Sequence, residues 1–225
     1  MLAFLTGPMF WIALVVFVAG LAARGVWYVR GLNWQLDRVA YRAHPRAGIR
    51  GALRSIFYWL VPMGTRGWRV QPFMTVVFFV FHAGVVAIPL FLLAHTVFLA
   101  EKFGAWLPAM PQPAADVLAW AAAACIILLA LRRIALPEVR ILTDLQDWLI
   151  LLLTAAPFVT GLFARYDAAG YESWMIAHVL SGEILLIAAP FTRLNHILLF
   201  FLSRAQLGAD YGIKRGGLKG TDVAW

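Results

Sequence analysis

The sequence predicts an all-α, polytopic membrane protein with five transmembrane helices, an outside N-terminus and a cytoplasmic C-terminus. Three observations carry this. Of 225 residues, 63% are hydrophobic and only 13% are charged, whereas a soluble domain is about half apolar and about a quarter charged. A soluble fold of this length has too much surface to hide so many apolar side chains. The apolar residues also gather into five stretches near the roughly 20 residues that a helix needs to cross a bilayer. Finally, the cations sort by loop. Composition therefore excludes a soluble enzyme, a disordered chain and a disulfide scaffold. The single cysteine, Cys125, excludes an internal disulfide and a cysteine-held iron–sulfur cluster.

The first span is expected at Phe10–Tyr28. No basic segment or small-residue cleavage site precedes it, so it reads as a retained helix and not as a signal peptide. The second is Phe73–Ala100, the third Ala115–Leu131, the fourth Asp147–Ala164 and the fifth Trp174–Leu202. The runs are continuous, which argues against the short alternating strands of a barrel. Pro89, Pro157 and Pro190 fall inside spans as expected kinks. All five belong to one membrane domain, 1–225, with a basic cytoplasmic loop at 33–71 and a cytoplasmic tail at 205–225.

Arg24, Arg30, Arg38, Arg42, Arg46, Arg50, Arg54, Arg66 and Arg69 lie at or after the end of span one. Arg132, Arg133 and Arg140 lie between spans three and four. Arg193, Arg204, Lys214, Arg215 and Lys219 lie at or after the end of span five. The other two sides hold only Lys102 and Arg165. The positive-inside rule then fixes the orientation. The net charge of +8 is mostly this asymmetry and does not suggest nucleic-acid binding, because no separate basic domain exists. Within the long loop, Ile49–Val61 reads either as an amphipathic interfacial helix, with Phe57, Tyr58 and Trp59 at headgroup level, or as a membrane-hugging loop. The outer loop Gly104–Pro113 carries three prolines, so it is expected to be extended and stiff.

Four of the five histidines lie within spans: His82 and His95 in the second, His178 and His196 in the fifth. Ionisable residues at membrane depth are rare and usually functional. One imidazole alone can be a helix–helix hydrogen bond. Two on each of two helices point to bis-histidine ligation of two b-type haems, one per leaflet. Span directions pair His82 with His196 on the inner side and His95 with His178 on the outer side. If span five is a straight helix, His178 and His196, 18 residues apart, share a face about 27 Å apart in rise. His82 and His95, 13 residues apart, do not share a face unless Pro89 reorients the helix.

Gly84 and Gly182 offer close approach to a flat macrocycle, or serve ordinary helix packing. Arg193, one turn before His196, meets a haem propionate or snorkels to the surface. Glu183 is the one deep carboxylate of span five. It is either a proton or quinone-site group, or is neutralised by a neighbouring helix. His44 is expected to be solvated.

Over roughly residues 78–204 the chain resembles the gamma subunit of respiratory nitrate reductase, a five-span dihaem cytochrome b. Pro190-Phe191-Thr192-Arg193-Leu194-Asn195-His196 is similar to that family's Pro-Phe-Ser-Arg-Leu-x-His, and the 18-residue gap back to His178 matches. Further matches are Arg132-Arg133, Pro137, Val139-Arg140, Thr143, Asp147 and Leu149-Ile150-Leu151, and then Ala105-Trp106-Leu107-Pro108. The resemblance implies two haem b groups, on His82 and His196 and on His95 and His178, in a multi-pass protein of the bacterial inner membrane.

Two departures stand out. His95 is displaced outward by about one turn, and Gln112 stands where the family has a lysine near its quinol site. Together with the long basic loop, these look closer to cytochrome b subunits of sulfate-reducer complexes, such as the high-molecular-weight cytochrome c complex. That likeness implies electron transfer between a periplasmic multihaem cytochrome c, or menaquinol, and a cytoplasmic iron–sulfur subunit, with other integral membrane subunits alongside. The basic inner loops and the tail Leu207–Trp225 would dock the cytoplasmic partner, and Glu101–Ala114 the outer one. No nucleotide loop or nucleophile–base motif is present, so substrate chemistry would belong to partners. A haem-free membrane anchor and a small histidine-relay transporter are the other readings.

Overall fold

The computed structural model describes residues 1–32, 44–104, 107–167 and 169–214. The expected positions Arg38, Arg42, Ala105, Trp106, Arg215 and Lys219 lie outside these described residues. Helices account for nearly all of the described chain, with no strand among the described residues. Among the described residues, five helices are long and apolar enough to cross a membrane: Leu2–Gly31, Pro72–Phe91, Gln112–Ala135, Leu145–Tyr166 and Tyr171–Phe191. Large apolar side chains point outward along them, such as Val15, Val76, Val117 and Leu152. Lipid, not water, suits such a surface.

In chain order the elements are α1 (Leu2–Phe4), a π-turn (Leu5–Met9), α2 (Phe10–Gly31), α3 (Pro45–Leu60), α4 (Arg66–Val70), α5 (Pro72–Phe91) and α6 (Leu93–Phe103). Then follow α7 (Gln112–Ala135), α8 (Pro137–Arg140), α9 (Leu145–Tyr166), α10 (Tyr171–Ala188), two 3-10 turns (Ala189–Phe191 and Arg193–Asn195) and α11 (His196–Lys214). Span one is longer than expected and kinks at Gly7, whose backbone leaves helical geometry just before Pro8. They form two compact units. The first comprises Met1–Met9 and Val76–Leu185, and the second Phe10–Thr75 and the chain from Leu186.

Two expected spans are broken helices. The second, expected over Phe73–Ala100 with a kink at Pro89, ends its first helix at Phe91. Leu92 is extended, with ψ 133°. Pro89 has no N–H to give the preceding turn, and the break leaves carbonyls to be satisfied. Met110 N–H donates to the Phe91 carbonyl at 2.8 Å, and Leu92 N–H donates to that of Ile88 at 3.1 Å. Gly104, in the left-handed region at φ 65°, ends α6 by donating its N–H to the Ala100 carbonyl, as helix-terminating glycines do.

The fifth span was expected over Trp174–Leu202 with a kink at Pro190. It leaves helical geometry at Thr192 (φ −117°, ψ −178°), whose Oγ1 caps the next turn by accepting from Leu194 N–H at 3.3 Å. The straight-helix argument that put His178 and His196 on one face is therefore overturned.

Within the first unit, α5 meets α7 where Gly84 faces Ala122; a Cβ on Gly84 would come 2.5 Å from the Ala122 Cβ. The α7–α9 connection is a clasp of charges. Asp144 and Asp147 form a capping box at the start of α9, which satisfies otherwise orphaned N–H groups. Arg133 reaches the same point, with Nη1 3.6 Å from Asp147 and 3.2 Å from the Thr143 hydroxyl. At the other end, Arg165 pairs with Asp116 at 3.3 Å, and Gln112 donates to the same carboxylate at 2.7 Å.

Within the second unit, α11 packs against two helices. Gly25 of α2 makes room for Leu198, and Tyr28 donates its hydroxyl proton to Gln206. Another face lies on α3. A Cβ on Gly51 would collide with the Gly208 carbonyl, and one on Gly212 would come 2.7 Å from the Ala47 carbonyl. Small residues spaced by four let the two backbones touch. The segment Ile49–Val61 thus lies mostly in a helix, α3, with Gly51 and Ser55 buried and Ile49, Leu53 and Phe57 exposed. Gly20 of α2 admits the ring of Pro190, 2.6 Å from where its Cβ would be.

Candidate functional site

The break at Leu92 brings two of the histidines into register. His95 on α6 and His178 on α10 present parallel imidazoles, their planes 1° apart, with ring centroids 5.8 Å apart. Both rings are fixed from behind. His95 Nδ1 donates to the Ile88 carbonyl at 3.0 Å, across the break, so the residue that needs the helix to turn also satisfies part of the turn. His178 Nδ1 donates to the Pro157 carbonyl of α9 at 2.9 Å. Gly161, one turn beyond Pro157, lets α9 approach the ring: a Cβ there would stand 2.9 Å from His178 Cε1.

A carbonyl only accepts, so the proton of each neutral ring sits on Nδ1 and the lone pair on Nε2. That is the tautomer a metal-ligating histidine needs, held by a backbone partner. Neither Nε2 makes a hydrogen bond among the described residues. The other two histidines share the same device. His82 Nδ1 lies 2.7 Å from the Phe78 carbonyl and His196 Nδ1 2.9 Å from that of Arg193. His82 belongs to the first unit and His196 to the second.

No group of three or more His, Cys, Asp or Glu converges among the described residues. Two imidazoles alone suit a metal whose remaining positions a macrocycle fills. Two metal–nitrogen bonds of about 2 Å and two half-rings would come to roughly 6 Å between centroids if the two Nε2 atoms faced one another. Gly182, one turn from His178 on the same face, has open space where a side chain would project. Gly84 does not share that character, because the close approach it permits is to Ala122 of α7. Arg193 is exposed, and its carbonyl serves His196. Glu183 is 3% exposed, and neither carboxylate oxygen has a hydrogen-bond partner among the described residues. Sequence reasoning missed Pro157 as an acceptor and Gly161 as a cradle. A glycine one turn beyond a proline in an apolar span was the signal for both.

A protein of Nitratidesulfovibrio vulgaris strain Hildenborough is 57% identical over 226 residues, spanning the full length of both chains. The chain belongs to that protein's family. No family model and no solved structure matches the chain. The shared length takes in both units, so every element described above lies within the family's common extent.

Proposed function

We propose that this family member is a membrane-embedded dihaem b-type cytochrome that carries electrons across a bacterial inner membrane within a larger redox complex. The observation that carries the reading is the parallel His95–His178 pair at 5.8 Å, each ring locked in the Nε2-ligating tautomer. A haem iron held there supplies one-electron exchange, at a potential set by its ligands and its dry surroundings. The chain's own part is placement. Leu92 turns His95 toward α10, Pro157 orients His178, Gly161 admits its ring, and Gly182 leaves room on the same face. Both histidines are half-buried among helices apolar enough to sit in a membrane, which would keep water from the pair. The ligands of the second haem are the remaining two span histidines, His82 and His196, each of which has Nδ1 against a backbone carbonyl of its own helix or turn.

The donor and acceptor are a periplasmic-side cytochrome c or menaquinol and a cytoplasmic iron–sulfur subunit, with the N-terminus outside as the cation asymmetry implies. Gln112, where the resembled family has a lysine, is engaged with Asp116, which favours a cytochrome over quinol. The purified complex, reduced, should show a b-type alpha band and about two haems per chain by pyridine haemochrome. Intact, freshly prepared complex without haem would refute the proposal.

One observation favours a second reading. The His178–Pro157 contact is itself a helix–helix hydrogen bond between α10 and α9, as a haem-free membrane anchor would use. Haem content separates the two.

A further inference from the structure

Helix α3 keeps a face that α11 leaves open. At about 100° per residue, Arg46, Ile49, Arg50, Leu53, Phe57 and Leu60 fall within one sector of roughly 100°, and all of them are exposed. The buried residues Gly48, Gly51 and Ser55 fall on the opposite side, where Gly208 and Gly212 of α11 abut. Cations and apolar side chains of the open sector therefore share one surface. Arg46 and Arg50 lie toward its start, Phe57 and Leu60 at its end. The helix contains no carboxylate, and neither Arg46 nor Arg50 forms an ion pair among the described residues.

Contacts within the second unit set the level of this face. α2 and α11 run parallel, with Leu198 at Gly25 and Gln206 at Tyr28. α3 and α11 run antiparallel: Arg204 lies over Trp59, Gly208 meets Gly51 and Ser55, and Gly212 meets Ala47 and Gly51. Arg24 and Arg30 fall in the last two turns of α2, and such cations mark the headgroup level. α2 stops at Gly31, within a turn of Tyr28, whereas α11 continues unbroken to Lys214. From Gln206 to Gly212 it rises about 9 Å. Ile49 and Arg50, beside Gly51, therefore stand on the aqueous side of the headgroups, with Arg46 farther out and Leu53 level with Gly208. Phe57 and Leu60 lie near the level of Arg204, where lipid reaches them. Ile49 and Leu53 are 61% and 64% exposed, and hydrocarbon does not extend to them. Apolar surface left open toward water marks a protein-binding face.

We propose that this face of α3 docks an amphipathic helix of a cytoplasmic protein partner. The partner's apolar stripe covers Ile49, Leu53 and Phe57, and its carboxylates meet Arg46 and Arg50. Charge complementarity selects this occupant: the face is basic and apolar at once, and a second copy of α3 would bring only more cations. The proposal rests on the orientation given above, with this end of the chain cytoplasmic, and on no haem.

The full chain is expressed in the cells that encode it, with p-benzoylphenylalanine in place of Leu53, and irradiated. Mass spectrometry then sequences the crosslinked peptide. It should come from a cytoplasmic protein, at an apolar position with Asp or Glu within a turn. Arg46→Glu combined with Arg50→Glu should lower the crosslink yield roughly ten-fold, about three-fold per cation reversed. Replacing the crosslinked segment's carboxylates by Lys should restore it. Both substitutions are on the exposed surface, so the chain still folds. Crosslinks to lipid alone, to a second copy of this chain or to this chain's own residues would overturn the proposal. So would a partner segment without carboxylates, an unchanged yield in the charge-reversed variant, or no crosslink. Haem content, read on the same membranes, tests the cytochrome reading separately.

Discussion

Replacing Gly161 by Ala should disturb His178 without touching it directly in sequence. The new Cβ would stand 2.9 Å from the His178 Cε1 and 3.0 Å from its Nδ1, where ordinary contact begins at 3.4 Å. The ring must therefore retreat by about half an ångström, the difference between 3.4 and 2.9 Å. Its anchor, the Pro157 carbonyl, sits one turn back on the same helix, so the 2.9 Å hydrogen bond is stretched or bent. Overpacking of this kind costs about 1–3 kcal/mol, and weakening the hydrogen bond adds about 0.5–1.5 kcal/mol. Taking about 2 kcal/mol at the pair, retention of the haem between His95 and His178 should fall roughly 30-fold. The assay is haem per chain by pyridine haemochrome, with the midpoint potential of what remains. Full haem content at an unchanged potential in Gly161→Ala would refute the packing argument.

Gly182→Ala makes the opposite test: its Cβ meets nothing within 4 Å, and Ala favours helix by up to about 1 kcal/mol. Thermal unfolding of the haem-free chain should be unaffected or slightly raised, while haem content falls. Gly208→Val should prevent stable folding, because its Cβ would come 2.6 Å from the Ser55 Cβ and against the Gly51 carbonyl; yield after membrane extraction reads this. Asp144→Ala removes the α9 cap and should cost about 1 kcal/mol in a denaturant titration. Arg133→Gln, whose partner Asp147 is partly shielded, should cost less than that.

Hydropathy made the five spans legible, because any apolar run of sufficient length signals a crossing. It could not see where a run changes direction. Leu92 and Thr192 sit inside apolar sequence, yet both leave helical geometry. Their signals were local: a proline three residues before Leu92, and a threonine two residues after Pro190 that caps the following turn. The first break lies between His82 and His95, so their 13-residue gap does not run along one straight helix. The four histidines stood out because imidazoles at membrane depth are rare. Their backbone partners did not, since carbonyls carry no sequence label. The Gly51, Gly208 and Gly212 contact went unread for another reason. Its glycines lie outside the apolar spans, where glycine reads more naturally as loop than as helix packing.

The central claim is that His95 and His178 ligate the same metal centre. Haem per chain in His95→Ala and in His178→Ala, each compared with the wild-type complex, tests it most directly. Each variant should lose one haem, the same one by midpoint potential, and keep the other. Loss of different haems in the two variants, or of none, would contradict it.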